Sequence, residues 1–314
     1  MSSMSQSLFE KPSSEVILDA EAIEEIAGPL SNVILKGDAL HALRKLPSHF
    51  VSTIVTSPPY YGQRDYGVAR QIGAEVTPDS YIDNLIRIFE ECQRVLRKDG
   101  TLWLNLGDKY RGGQLEGLPW RVALKLREVG WFLRSDIIWK KSNAMPASVT
   151  DRPTTEHEYV FLFSQSPKYY YDADSIREPH ITFTEHSKMR GGRTHFGKRG
   201  GTPEKGKNAG NSNLHNGRWD KAFHPKGRNK RTVWEVPLSK FREAHFAVFP
   251  EKLVEPCILA GCPKNGTVLD PFFGSGTTGV VALRNQRRFL GIEINAAYCK
   301  MALERLLPYS HLMQ

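Results

Sequence analysis

Short runs of β-forming, mostly apolar residues alternate with helix-like patterns at both ends of the chain, and this alternation restricts the fold more than any other feature. The runs NVILKGD (32–38), VSTIVTS (51–57), TLWLNLGD (101–108), RSDIIWK (134–140) and EYVFLFS (158–164) are strand candidates, each expected to be buried on both faces. Between them, residues 81–96 gather Ile82, Leu85, Ile86, Phe89, Cys92, Val95 and Leu96 on one helical face, and residues 118–128 repeat the arrangement over a shorter span. The C-terminal stretch continues with a helix at 250–261, a strand at 267–270, a helix at 277–284, a strand at 288–294 and a helix at 296–306. This alternation predicts an α/β fold, a single largely parallel mixed sheet flanked by helices, to which both stretches contribute. The first 30 residues, Ser-rich and then acidic, predict a loosely attached arm or one short helix.

The segment between the two stretches is compositionally foreign to both. The 314-residue chain carries a net charge of +9, yet residues 180–231 hold thirteen Lys and Arg against three acids, so this segment is +10 and the rest of the chain −1. Nine glycines and little apolar periodicity make it an irregular insertion that cannot pack alone. A solvated linker would have a similar composition. The sharper reading is an element that follows phosphates while a few side chains read bases. No apolar run approaches the ~18 residues of a membrane span, and the N-terminus lacks a basic segment followed by an apolar one, so a soluble, unsecreted protein is expected. Four cysteines (Cys92, Cys257, Cys262, Cys299) without CxxC spacing suit a reducing cytoplasm and supply neither a disulfide framework nor a metal set.

Two motifs carry chemistry. The loop DPFFGSGTTG (270–279) follows a strand and opens a helix, where glycines allow a ligand to approach the backbone. Gly274, Gly276 and Gly279 satisfy GxGxxG, and Glu293 at the end of the next strand is suitably placed to accept hydrogen bonds from ribose hydroxyls, so a dinucleotide site stays open on this evidence. A triphosphate loop would require a lysine that is absent. The acidic Asp270 at the strand tip favours a ligand that is cationic there, such as S-adenosylmethionine. The second motif is TSPPYYGQRDYG (56–67), directly after an apolar strand. Its two prolines fix a stiff extended turn whose carbonyls are free to accept hydrogen bonds, and an aromatic stacking platform follows at once.

Ser57-Pro58-Pro59-Tyr60, together with the later Asp270-Pro271-Phe272-Phe273-Gly274-Ser275-Gly276-Thr277-Thr278, resembles the β group of amino-methylating DNA methyltransferases. The resemblance spans roughly residues 32–306. It implies an S-adenosylmethionine-dependent, Rossmann-like methyltransferase fold in permuted order, with an arm at 1–30, a catalytic half at 31–170, a target-recognition insertion at 171–235 and a cofactor half at 236–314. It further implies that Asp38 contacts the cofactor adenine, that Phe249 and Pro250 line the cofactor pocket, and that Glu293 holds the ribose. Asp270, Pro271, Phe272, Gly274, Gly276 and Thr277 would surround the methionine part. Candidate DNA contacts in the insertion are Lys188, Arg190, Arg193, Lys198, Arg199, Arg218, Lys226 and Arg228. The implied partners are double-stranded DNA and a cognate restriction endonuclease, and the enzyme would act as a monomer or homodimer in the cytoplasm, associated with the nucleoid.

An exocyclic base amine is a weak nucleophile because its lone pair is conjugated into the ring. Acceptors at Ser57 Oγ and the Pro58 carbonyl would take its two protons and favour a pyramidal nitrogen aligned for in-line attack, while Tyr60 stacks on the flipped base. Carbon-5 methylation would need a thiolate, and Cys257 lies instead in an apolar helical pattern where a packed thiol is expected. Serine at the head of the tetrapeptide leans, by the resemblance, toward cytosine N4, with adenine N6 the alternative. An NAD-dependent oxidoreductase would account for 274–293 but leave SPPY and the basic insertion without a role. A non-enzymatic DNA-binding protein would leave the glycine loop unexplained.

Overall fold

The computed structural model describes residues 16–23, 30–63, 67–68, 71–180, 224, 226–238 and 249–312. They divide into a larger unit, Met1–Asp172 with Thr232–Gln314, and a smaller one, Ala173–Arg231. In the larger unit, the strands are β1 (Ile17–Asp19), β2 (Val33–Lys36), β3 (Val51–Thr56), β4 (Leu96–Leu106), β5 (Tyr110–Arg111), β6 (Gln114–Leu115), β7 (Phe132–Lys140), β8 (His157–Ser164), β9 (Val233–Glu235), β10 (Thr267–Asp270) and β11 (Arg288–Glu293). The helices are α1 (Ala39–Arg44), α2 (Pro78–Val95), α3 (Leu118–Glu128), α4 (Glu251–Gly261), α5 (Thr277–Arg284) and α6 (Ala296–Leu306).

Nine strands form one sheet in the order β1-β2-β11-β10-β3-β4-β8-β7-β9, and β5 and β6 make a separate hairpin. Pairing is parallel from β1 to β4 and between β7 and β9, while β8 is antiparallel to both its neighbours. The C-terminal strands β10 and β11 are thus inserted between β2 and β3, and the two stretches complete a single sheet. Every residue of β3 and of β10 is buried, as expected of central parallel strands covered on both faces. The amphipathic helix α2 is capped by Thr77, whose hydroxyl accepts the Ser80 N–H at 3.1 Å, and Pro78 occupies its first turn, where no donor is needed. It buries Leu85, Ile86, Phe89, Cys92 and Val95 in the core.

Three expectations are corrected here. The run 134–140 is not buried on both faces: in β7, Phe132 is exposed, and burial is confined to the Ile137 and Trp139 end. The reason is position, since only the three-residue β9 lies outside it. The sheet takes up Val233–Glu235, assigned above to the insertion, because Trp234 is buried there and packs near Trp103 at 6.3 Å. Within the stretch expected to form an arm or one short helix, Ile17–Asp19 is a strand paired with Ile34–Lys36 and a short 3-10 helix, Ala20–Ala22, follows it, while residues 1–15 and 24–29 lie outside the described residues. Among the described residues no helix is long and apolar enough to cross a membrane.

The smaller unit is described only at its two ends. Glu178 and Arg228 exchange backbone hydrogen bonds at 2.9 and 2.8 Å. Asp174 pairs with Arg177 at 2.7 Å and with Lys226 at 3.1 Å, and these bonds hold its carboxyl down at about 2. Glu178 pairs with Arg228 and Lys230. Lys226 and Arg228, two of the candidate DNA contacts, therefore join ion pairs within this unit. Lys188, Arg190, Arg193, Lys198, Arg199 and Arg218 lie outside the described residues.

Candidate active site

Adjacent parallel strands end side by side, and their carboxyl ends bring distant motifs together. β3 runs into Ser57-Pro58-Pro59-Tyr60, its neighbour β10 ends at Asp270, β11 ends at Glu293, and β2 leads to Gly37 and Asp38. All border one cavity of about 370 Å³. The position is the one the topology predicts, outside the carboxyl ends of the strands.

On one side lies the glycine loop. Asp270 is 3% exposed and accepts from Thr56 Oγ1 at 2.6 Å, Thr278 Oγ1 at 2.7 Å and the Phe272 N–H at 3.0 Å. Burial outweighs these three donors and pushes its carboxyl up to about 6. Glu293 accepts the Gly274 N–H at 2.8 Å through one oxygen and the Asn295 N–H at 2.8 Å through the other, and burial raises its carboxyl as well. Phe273 turns under the loop and stacks on Phe289 with ring centres 5.5 Å apart. Arg305 of α6 clamps the loop from outside, donating to the Ser275 carbonyl at 2.8 Å and to Thr277 Oγ1 at 3.0 Å. Asp38 caps α1 by accepting the His41 N–H at 2.9 Å and also borders the cavity.

The donor set decides between the ligands considered above. A pyrophosphate needs free backbone N–H groups and positive potential, but the Gly274 and Phe272 N–H groups are committed to carboxylates that face the same cavity. Two buried carboxylates suit a ligand bearing an ammonium and a sulfonium, with Glu293 retaining lone pairs for hydroxyls. S-Adenosylmethionine fits this side of the cavity and NAD does not.

The opposite side holds the tetrapeptide within a polar network. Ser57 Oγ donates to Asn105 Oδ1 at 3.2 Å and lies 3.3 Å from the Tyr60 hydroxyl. Tyr60 donates to Glu158 Oε2 at 2.6 Å, and Lys141 Nζ donates to Glu158 Oε1 at 2.5 Å. Tyr81 donates to the Pro59 carbonyl at 3.0 Å and fixes the turn. Gly107 makes room for the tyrosine, since a Cβ there would lie 2.7 Å from Tyr60 Cε2.

Ser57, Pro58, Pro59, Tyr60, Asp38, Phe249, Asp270, Pro271, Phe272, Gly274, Thr277 and Glu293 all line the cavity. Pro250 and Gly276 are not among its lining residues. Pro250 is buried at the cap of α4. Gly276, with φ +82°, lies against α6, where a Cβ would approach Ala302 Cβ to 2.8 Å. Its glycine is required by helix packing rather than by ligand approach. Asn105, Lys141, Glu158, Arg305 and Trp139 are parts of the site or its frame that the sequence reading did not single out. Asn105 was visible as a lone amide inside an apolar strand, TLWLNL, a polar residue whose burial demands partners. Cys257 is buried in α4 with its thiol directed at the Leu253 carbonyl, consistent with a packed residue.

A cofactor cradle and a rigid acceptor turn opening into one cavity define a group-transfer enzyme with a cationic donor. The N6/N4 DNA methylase family model matches residues 51–304, and the chain belongs to that family. The type II methyltransferase M.Cfr9I of Citrobacter freundii is 42% identical over 302 residues, covering 87% of each chain. The DNA adenine methyltransferase YhdJ of Escherichia coli is 28% identical over 290 residues, covering 90% of this chain and 85% of its own. Among solved structures, the PvuII DNA methyltransferase, cytosine-N4-specific, superposes with a TM-score of 0.62 at 19% identity, covering 90% of this chain and 92% of its own. TTHA0409 of Thermus thermophilus, complexed with S-adenosyl-L-methionine, gives 0.56 at 25% identity, covering 88% and 95%.

Proposed function

We propose that this DNA amino-methyltransferase modifies the N4 amine of cytosine, extruded from a specific double-stranded sequence, and that it is the modification partner of a cognate restriction endonuclease. The observation that carries the reading is the orientation of Ser57. The network leaves its oxygen as an acceptor at the end of β3, next to the Asp270 side of the same cavity.

S-Adenosyl-L-methionine is the cofactor, and when bound it supplies an electrophilic methyl group on a sulfonium. Asp270 and Glu293 hold its positive and hydroxyl-bearing parts, and Phe249 offers an apolar wall. Ser57 Oγ and the Pro58 carbonyl accept the two amine hydrogens, which localises the nitrogen lone pair and orients it. Tyr60, with its hydroxyl anchored to Glu158, presents its ring to the extruded base, helping to offset a few kcal/mol of lost stacking. The basic segment 180–231 supplies phosphate contacts. By the resemblance carried by Ser57-Pro58-Pro59-Tyr60, serine at the first position of the tetrapeptide leans toward cytosine. Adenine N6 is the second reading, supported by the likeness to YhdJ. Incubating unmethylated genomic DNA with methyl-labelled S-adenosyl-L-methionine, digesting to nucleosides and analysing their mass tests the choice: N4-methylcytosine is expected, and N6-methyladenine as sole product would overturn it.

A further inference from the structure

The acceptor side of the cavity contains a charged pair that cofactor binding does not call for. Glu158 of β8 and Lys141, just beyond β7, meet at 2.5 Å with side chains 12% and 21% exposed. Buried ion pairs of this kind are seldom a net source of stability, since desolvation cancels much of the attraction. Glu158 is, however, the endpoint of a chain of hydroxyls. Asn105 Nδ2 donates to Glu158 Oε2 and to the Tyr159 carbonyl, each at 3.0 Å, so both amide hydrogens are engaged and Oδ1 must face Ser57. The Tyr60 hydroxyl has two acceptors in reach, Asn105 Oδ1 at 3.1 Å and Glu158 Oε2 at 2.6 Å; its one hydrogen takes the shorter bond to the carboxylate, and Ser57 Oγ lies 3.3 Å from its oxygen. Burial and the charge of Glu158 hold the Tyr60 phenol well above its ordinary ionisation range, so the hydroxyl keeps a proton to pass on.

We propose that Glu158 is the terminal proton acceptor of the methyl transfer, reached through the hydroxyls of Ser57 and Tyr60. This rests on the amine-methylation reading above. The methylated nitrogen is born as a cation and is a strong acid. Its N–H bond breaks as Ser57 Oγ takes the proton; the original Ser57 hydrogen, which rests on Asn105 Oδ1 at 3.2 Å, turns to Tyr60 Oη 3.3 Å away and moves to it, and the Tyr60 hydrogen moves to Glu158 Oε2. The products are a neutral methylated amine, two restored hydroxyls and a neutral Glu158, which loses its proton to water before the next turnover. Lys141 Nζ, 2.5 Å from Glu158 Oε1, places a positive charge beside the acceptor.

The test joins two readouts on the full chain: the pH profile of single-turnover methylation of unmethylated genomic DNA, and an NMR titration of the Glu158 carboxyl carbon in cofactor-free protein. Both should report the same apparent pKa, and Lys141→Met should raise the two together. Glu158→Gln should slow the single-turnover rate by about tenfold or more, with cofactor dissociation constant changed by no more than about twofold. A wild-type rate and profile in Glu158→Gln would overturn the inference, as would a Lys141→Met variant whose carboxyl titration moves while its rate profile stays in place. If Glu158→Gln fails to bind cofactor, Tyr60→Phe decides, because it keeps the ring and removes the hydroxyl through which the relay must pass; a wild-type rate there also overturns the inference. Failure of the wild-type protein to methylate any amine would instead overturn the reading on which this rests.

Discussion

Asp270 illustrates how much one residue of this site depends on its surroundings. Its carboxyl receives three hydrogen bonds, yet burial still raises it from 3.8 to about 6. A carboxyl that binds its proton more tightly folded than unfolded loses stability as pH rises from about 4 to about 6, a loss on the order of 3 kcal/mol in the cofactor-free protein. A cationic ligand favours the ionised form, so cofactor affinity should weaken as pH falls below about 6, by up to about tenfold per pH unit. Isothermal titration across that range should show this dependence, and Asp270→Asn should both weaken binding and flatten the dependence, leaving what the raised Glu293 carboxyl contributes. Ser57→Ala should behave oppositely, lowering turnover by about a hundredfold while leaving cofactor affinity near wild type. Equal losses of cofactor binding in the two variants, measured side by side, would contradict the division of labour between the two sides of the cavity.

At the scale of elements, the glycine loop is shaped by what lies beneath it as much as by its own sequence. Phe273 packs into a space left by Gly279 and Gly291, and a Cβ on Gly291 would come within 2.3 Å of the Phe273 ring. That residue sits in the middle of β11, one strand away from the loop. Gly291→Ala should therefore displace Phe273, destabilise the protein by about 1–3 kcal/mol and weaken cofactor binding, although it touches no ligand. Thermal unfolding and cofactor titration of the variant check both effects. The Arg305 clamp works on the same loop from α6 and stays outside the cavity.

For the whole molecule, the charge of +9 resolves into a nearly neutral catalytic body and one strongly basic segment. Replacing residues 180–231 by a short neutral linker should abolish most DNA affinity and flatten its salt dependence, because phosphates that are no longer neutralised by Lys and Arg keep their condensed counterions. Cofactor affinity should stay unchanged. Filter binding over a salt series, alongside cofactor titration, tests both statements; unaltered DNA affinity would show that the charge serves another purpose.

Local chemistry determined much of this protein. The strand and helix runs, the stiff Ser57-Pro58-Pro59-Tyr60 turn, the loop at Asp270 and the location of the positive charge all follow from residue types within a few positions of one another. Periodicity reports such neighbours directly. The order of strands does not follow that way. Thr56 and Asp270 share a hydrogen bond across 214 positions of sequence only because β10 inserts beside β3. Asn105, Lys141 and Glu158 come from three different segments, and none belongs to a motif. They become one network because β4, β8 and β7 are neighbours, with β8 reversed. A lone amide or carboxylate in a strand signals an unmet hydrogen-bonding demand, but which group meets it depends on pairing across the sheet, and that pairing is fixed by the packing of the whole core.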